Sequence, residues 1–151
     1  AVLGRRLLIE NPTAYLPLAG HDWDEVDFLT EIARRTGCGL LIDVNNVHVS
    51  AVNMGFSAAD WIDRVPEDLV GEIHLAGHSL DPVWGQTLLI DSHDTPVAEV
   101  VWDLHERLIT RIGARSTLIE RDGQVPAFSR LLHEQTRAAL ALALVAEKAP
   151  T

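Results

Sequence analysis

The sequence predicts an α/β fold built on a parallel sheet. Short apolar runs alternate with segments of helical periodicity along the chain, the order that βαβ units require. The runs are continuous in apolar residues, as in buried parallel strands. A carboxylate or imidazole stands at or just beyond the end of each run, as on the active-site face of a β/α barrel.

The first strand is Arg6-Leu7-Leu8-Ile9-Glu10-Asn11-Pro12, closed by a proline that cannot donate to a ladder. Asp22 or Asp24 caps a helix through about Arg35, with Val26, Leu29, Ile32 and Ala33 at helical spacing and Gly37 as its stop. Cys38 to Val44 is the second strand. Asn45 to Gly55 reads as a polar loop, after which Ser57 caps a helix from Ala58 to Arg64 that Pro66 ends. Leu69 to Leu75 is the third strand, and Gly77 to Gln86 an irregular loop. Leu88-Leu89-Ile90-Asp91 reads equally as a strand or a buried loop edge. A helix from Pro96 to Ile112 carries an apolar face of Val97, Val100, Val101, Leu104, Leu108 and Ile112, and Gly113 stops it. Ser116 to Glu120 is the next strand, and an alanine- and leucine-rich helix from Pro126 to about Lys148 closes the chain.

A length of 151 residues with 47% hydrophobic content suits one folded domain. No stretch reaches the roughly 18 to 20 apolar residues of a membrane span, and the first residues lack signal-peptide order, so a cytoplasmic location is expected. The single cysteine, Cys38, excludes an internal disulfide and reads as a buried, inert thiol. With 22 acidic against 12 basic residues the formal charge is −10, and the basic residues are scattered, which disfavours a nucleic-acid partner.

Glu10, Asp43, His74, Asp91 and Glu120 are the strand-end residues, and Asp91-x-His93 is compact enough for both side chains to approach one ion. Carboxylates and imidazoles together suit iron, manganese or zinc, and no cysteine cluster points to a structural zinc. Singly, such a residue is most often a helix cap or loop acceptor; five together point to a shared site. His48 and His78 divide between ligand, substrate contact and surface, and Asn45-Asn46 is equally a turn. His21, His105 and His133 read as structural or solvated. Arg121 and Asp122 read as a surface pair or as support for the site.

Glu10-Asn11-Pro12, Leu41-Ile42-Asp43-Val44-Asn45-Asn46-Val47, Glu72 to His78, Leu89-Ile90-Asp91-Ser92-His93-Asp94 and Leu118-Ile119-Glu120 together resemble the multinuclear non-haem iron-dependent oxidases. That family was long catalogued as a domain of unknown function and includes the methanobactin biosynthesis oxidase. The resemblance covers nearly the whole chain. It implies a β/α (TIM) barrel of the xylose isomerase-like type with two or three iron ions at the strand C-termini. By motif it makes Glu10, Asp43, Asn46, His74, Asp91, His93 and Glu120 ligands, with His78, Asn45 and His48 as further metal or substrate contacts. It also implies oxidation of cysteine in ribosomally made peptides by dioxygen, with a small partner protein that delivers the peptide. Zinc or manganese hydrolysis or isomerisation on the same barrel, and a non-catalytic module, are the alternatives.

A complete barrel takes about 250 residues. The chain is therefore expected to be a single domain over residues 1–151 that forms the later, C-terminal half of a larger barrel. A half-barrel exposes sheet edges and apolar surface, so pairing with a second copy or with the missing half is also expected.

Overall fold

The computed structural model describes residues 4–17 and 19–148. Four strands, β1 (Leu8–Glu10), β2 (Gly39–Asp43), β3 (Val70–Leu75) and β6 (Ser116–Ile119), form a parallel sheet in that order. Between β3 and β6 lies a separate antiparallel pair, β4 (Ser79–Asp81) and β5 (Gly85–Ile90). The helices are α1 (Glu25–Thr36), α2 (Val44–Met54), α3 (Ala58–Arg64), α4 (Glu99–Ile112) and α5 (Phe128–Lys148).

The two faces of the sheet differ in chemistry. Leu40, Ile42, Ile73 and Leu75 point to one face and join Val26, Leu29 and Ala33 of α1, Ile62 of α3 and Val101, Leu104 and Leu108 of α4 in one core. The parallel register aligns Asp43 with His74 and His74 with Leu118 on the opposite face, and Glu10 with Leu41 and Glu72. That second face is mixed: Leu118 and Glu10 are exposed, and Leu41, Glu72 and His74 are only partly covered. Neighbouring strands in chain order, with the helix-packed core on one face, make the single-wound arrangement of a partial α/β barrel. The continuous apolar runs thus correspond to strands buried on one face, not two. Gly39 and Gly71 let Leu8 lie flat across this second face, since a Cβ at either would meet Leu8 Cδ2 at 2.7 or 2.8 Å.

Two expectations need correction. The segment read as a polar loop after Asp43 is helix α2. Asp43 caps it, accepting from Asn46 N at 2.8 Å, and Gly55 at φ 75° ends it. Its asparagines, histidine and serine have modest helix propensity, but seven of its residues are buried, so tertiary packing overrides the local preference. The irregular loop after Gly77 is half of the β4–β5 hairpin. Asp91 therefore follows a hairpin strand, and four of the five acidic or imidazole strand ends belong to the parallel sheet. The remaining bounds shift by a few residues: the first strand shortens to Leu8–Glu10, α4 begins after Pro96 and α5 after Pro126. Cys38 is buried, as expected. Among the described residues no helix is long and apolar enough to cross a membrane.

Candidate metal centre

The parallel register brings Glu10, Asp43, His74 and Glu120 together at the C-terminal end of the sheet. Each offers an atom within 4.8 Å of the others, and His93, Glu120 and Asp122 form an adjoining group on the same terms. Glu120 belongs to both. Its backbone N–H donates to Leu75 O at 2.9 Å, so the ladder between β3 and β6 carries on to Glu120 itself. His74 Nδ1 lies 3.1 Å from Glu120 Oε2 and 3.9 Å from Glu10 Oε1, while its Nε2 faces Glu72 Oε1 at 3.7 Å.

Asp43 is the deepest member. It is fully buried, its Oδ1 is spent on the α2 cap, and its Oδ2 has no partner among the described residues. Burial pushes its carboxyl up to about 7. An ionised carboxylate in such surroundings is costly unless a cation compensates it. The Asn11 amide holds it in place, donating to Asp43 O at 3.0 Å and accepting from Asp43 N at 2.9 Å. The side chain of Asn11 thus extends the β1–β2 pairing by one step beyond the strand end.

His93 stands under a different constraint. Its backbone lies at φ 48°, a conformation costing roughly 1 to 2 kcal/mol for a side-chain-bearing residue. Three backbone contacts hold it: His93 N donates to Gly77 O at 3.0 Å, and His93 O accepts from Asp122 N at 2.9 Å and Gly123 N at 3.5 Å. Gly77 is required there, because a Cβ would fall 2.1 Å from Thr95 O. His93 Nε2 lies 2.7 Å from Asp91 Oδ1, yet neither ring nitrogen meets hydrogen-bond geometry with a partner. Side-by-side approach of an imidazole nitrogen and a carboxylate oxygen is how two ligands sit around one ion. The Asp91 contact holds the His93 ring well above its usual range, at about 9. Burial opposes ionisation of Asp91, but His93, Thr13 and Asn45 together hold its carboxyl below the usual range. Glu10 is raised, chiefly by burial.

Polar side chains surround these groups. Thr13 Oγ1 lies 2.7 Å from Asn46 Oδ1 and 2.8 Å from Asp91 Oδ2, and its single proton serves one of them at a time. Asn46 Nδ2 donates to Asn11 O at 3.1 Å, which fixes the amide so that its carbonyl oxygen, with two lone pairs, faces Thr13. Asn45 joins Asp91 to His78, which in turn packs against the ring of His48 at 4.9 Å. His105 is buried in the core, away from the centre.

Sequence reasoning left Asn11, Thr13 and Glu72 without roles and placed Asp122 only loosely. The order Glu72-x-His74 on one strand is a signal for a shared face, as is Glu120-x-Asp122. Nothing local marks Asn11 or Thr13, whose partners are 32 to 78 residues away. Arg121 and Asp122 are not a pair: Arg121 is nearly buried and donates to Glu134 at 2.9 Å, and Asp122 faces His93 Nδ1 at 3.5 Å.

The donor set fits a cation. Carboxylates and imidazoles converge, no thiolate is among them, and a buried carboxylate oxygen lacks a partner; this suits iron, manganese or zinc. Comparison with known proteins agrees with the motifs. Residues 1–143 match the family described as RiPP precursor modification enzyme MbnB/TglH/ChrH. Among curated proteins, a UPF0276 protein of Caulobacter sp. (strain K31) is 60% identical over 137 residues, covering 91% of this chain and 49% of the relative. A UPF0276 protein of Caulobacter vibrioides (strain NA1000 / CB15N) is 60% identical over 141 residues, 93% of this chain and 50% of the relative. One from Bordetella bronchiseptica is 51% identical over 142 residues, 93% of this chain and 49% of the relative. The chain spans about half the length of these relatives. It belongs to the family of RiPP precursor modification enzymes MbnB/TglH/ChrH.

Proposed function

We propose that this chain supplies much of the metal-binding centre of an iron-dependent oxidase that modifies cysteine in a ribosomally made peptide, using dioxygen. The observation that carries the reading is the convergence of Glu10, Asp43, His74 and Glu120 around an unpartnered, buried Asp43 oxygen, beside His93 and Asp91. The family description supports a peptide substrate. Glu10, Asp43, His74, Asp91, His93 and Glu120 would hold two or three ions, with Asn46 as a weaker oxygen donor. Bound iron supplies a Lewis acid and an electron path to dioxygen.

The chain's own residues do the rest. Asp43, Glu10 and Glu120 provide the negative charge that retains cations, and Asn11 and Thr13 hold two of the carboxylates in place. The mixed sheet face, with Leu8, Leu41 and Leu118, would be covered by further strands of a xylose isomerase-like barrel or by a second copy. A small partner protein would bring the peptide to the open end of the sheet, and the site would act in the cytoplasm.

The test is metal content and dioxygen consumption. Full-length protein purified without oxygen is expected to hold more than one iron per chain and to consume dioxygen with a cysteine-containing peptide. Zinc or manganese content with phosphodiester cleavage and no dioxygen uptake would replace the oxidase with a hydrolase on the same ligands. No metal, and a melting temperature unmoved by added iron, would leave a non-catalytic module.

A further inference from the structure

We propose that His78 takes up the thiol proton of the substrate cysteine, and that Asn45 determines which of its ring nitrogens does so. The inference rests on the cysteine-peptide reading above.

It begins at Asp91. An ionised carboxylate has only acceptor oxygens, and Asp91 Oδ1 lies 2.8 Å from Asn45 Nδ2. That contact orients the amide, turning Asn45 Oδ1 toward His78 Nδ1 at 2.9 Å. An amide oxygen can only accept, so His78 carries its proton on Nδ1 and a lone pair on Nε2. Nε2 has no partner among the described residues and is not sealed from solvent. The backbone is also held, since the Thr95 hydroxyl donates to His78 O at 2.9 Å.

Charge state points the same way. Burial holds the His78 imidazole below its usual range, against the pull of Asp91. The neighbouring His48 ring is lowered to about 4 by burial and by His78, so it brings no competing charge at neutral pH. A neutral ring with a fixed tautomer and an accessible Nε2 stands two hydrogen bonds from Asp91. In the step, the S–H bond breaks and its electron pair stays on sulfur. The proton forms an N–H bond at His78 Nε2, and Asp91, reached through Asn45, offsets the imidazolium charge. No oxidation state changes.

Two measurements on the full-length protein test this. In the zinc-loaded, diamagnetic form, nitrogen-proton correlation of the His78 ring is expected to find the proton on Nδ1, and Asn45→Ala to move it toward Nε2. A ring protonated on Nε2 in the unaltered protein overturns the proposal. In the iron-loaded, oxygen-free form at neutral pH, N-acetylcysteinamide serves as probe and thiolate absorption as readout. His78→Asn keeps an N–H donor near the Nδ1 position and removes the far nitrogen. Unchanged iron content with a several-fold loss of bound thiolate is the expected result. Equal thiolate overturns the proposal, as does loss of iron, which would make His78 a ligand. No thiolate in the unaltered protein overturns the cysteine reading itself, and this step with it.

Discussion

His74 Nδ1 lies 3.1 Å from Glu120 Oε2, joining the adjacent strands β3 and β6 at their C-terminal ends. The other oxygen of the same carboxylate faces His93 Nδ1 at 3.7 Å. Glu120 is thus the residue common to both candidate groups, whereas Glu10 belongs to one. Glu120→Gln is expected to remove most of the metal from the full-length protein, and Glu10→Gln a smaller share. Elemental analysis of protein purified without oxygen checks the order, and equal losses would show that Glu120 does not bridge.

Asp43 should trade stability for binding. Its folded carboxyl titrates at about 7, above the ordinary value of 3.8. For a carboxyl raised in this way the ionised form is the one that costs folding free energy. In the metal-free protein the penalty is absent below about pH 4, grows as pH rises, and is complete above about 7. Asp43→Asn keeps an oxygen to cap α2 and removes the charge. At pH 8 the metal-free variant should be about 1 to 3 kcal/mol more stable than the parent, with no gain at pH 4. Denaturant unfolding at the two pH values decides it, and the variant should also fail to retain metal.

Two glycines should respond differently to alanine. At Gly77 the added methyl meets the backbone oxygen of Thr95, which cannot swing away; at Gly71 it meets only the end of the Leu8 side chain. Gly77→Ala is expected to cost about 3 kcal/mol or more and to displace His93, whose N–H is held by Gly77 O. Gly71→Ala should cost less, and Leu8→Ala in the same chain should recover part of the loss. Thermal unfolding of the three variants gives the comparison, and equal costs at the two glycines would contradict it.

His105 sets an acid limit on the core. It is fully buried on α4, edge-on to Trp102, with Thr117 Oγ1 of β6 at 3.5 Å and no partner for Nδ1 among the described residues. Burial lowers its ring to about 4 from the ordinary 6.5. The folded state therefore favours the neutral ring, and the unfolded chain takes a proton first as pH falls. Full stability holds above about 6.5 and is lost progressively down to about 4, a loss of roughly 3 kcal/mol. His105→Leu should remove that part of the acid dependence while carboxylate contributions remain. Unfolding free energies of both proteins from pH 7 to 4 check this, and a gap between the two curves that stays constant with pH would show that His105 carries no such dependence.

Much of this centre was legible in the sequence because the alternation of side chains along a strand is a local property. Residues at the ends of parallel strands share one sheet face by parity, so Glu10, Asp43, His74 and Glu120 converge once the strands are recognised. Helix α2 was not legible, because its capping residue is also the site's buried carboxylate and its polar side chains read as a loop. The hairpin was missed because β4 is only three residues long and carries no strong alternation.

By itself the sequence determined the alternation of strands and helices outside α2 and the β4–β5 hairpin, the carboxylates and imidazoles at the strand ends, and the family, since these depend on periodicity and on short motifs. Only the tertiary structure decided that Asp43 keeps one oxygen unpartnered, that His93 sits in a left-handed conformation between Gly77 and Asp122, and that Asn45 ties His78 to Asp91. The physical reason is distance along the chain. Burial and hydrogen bonds between residues tens of positions apart are settled by packing, which no local preference encodes.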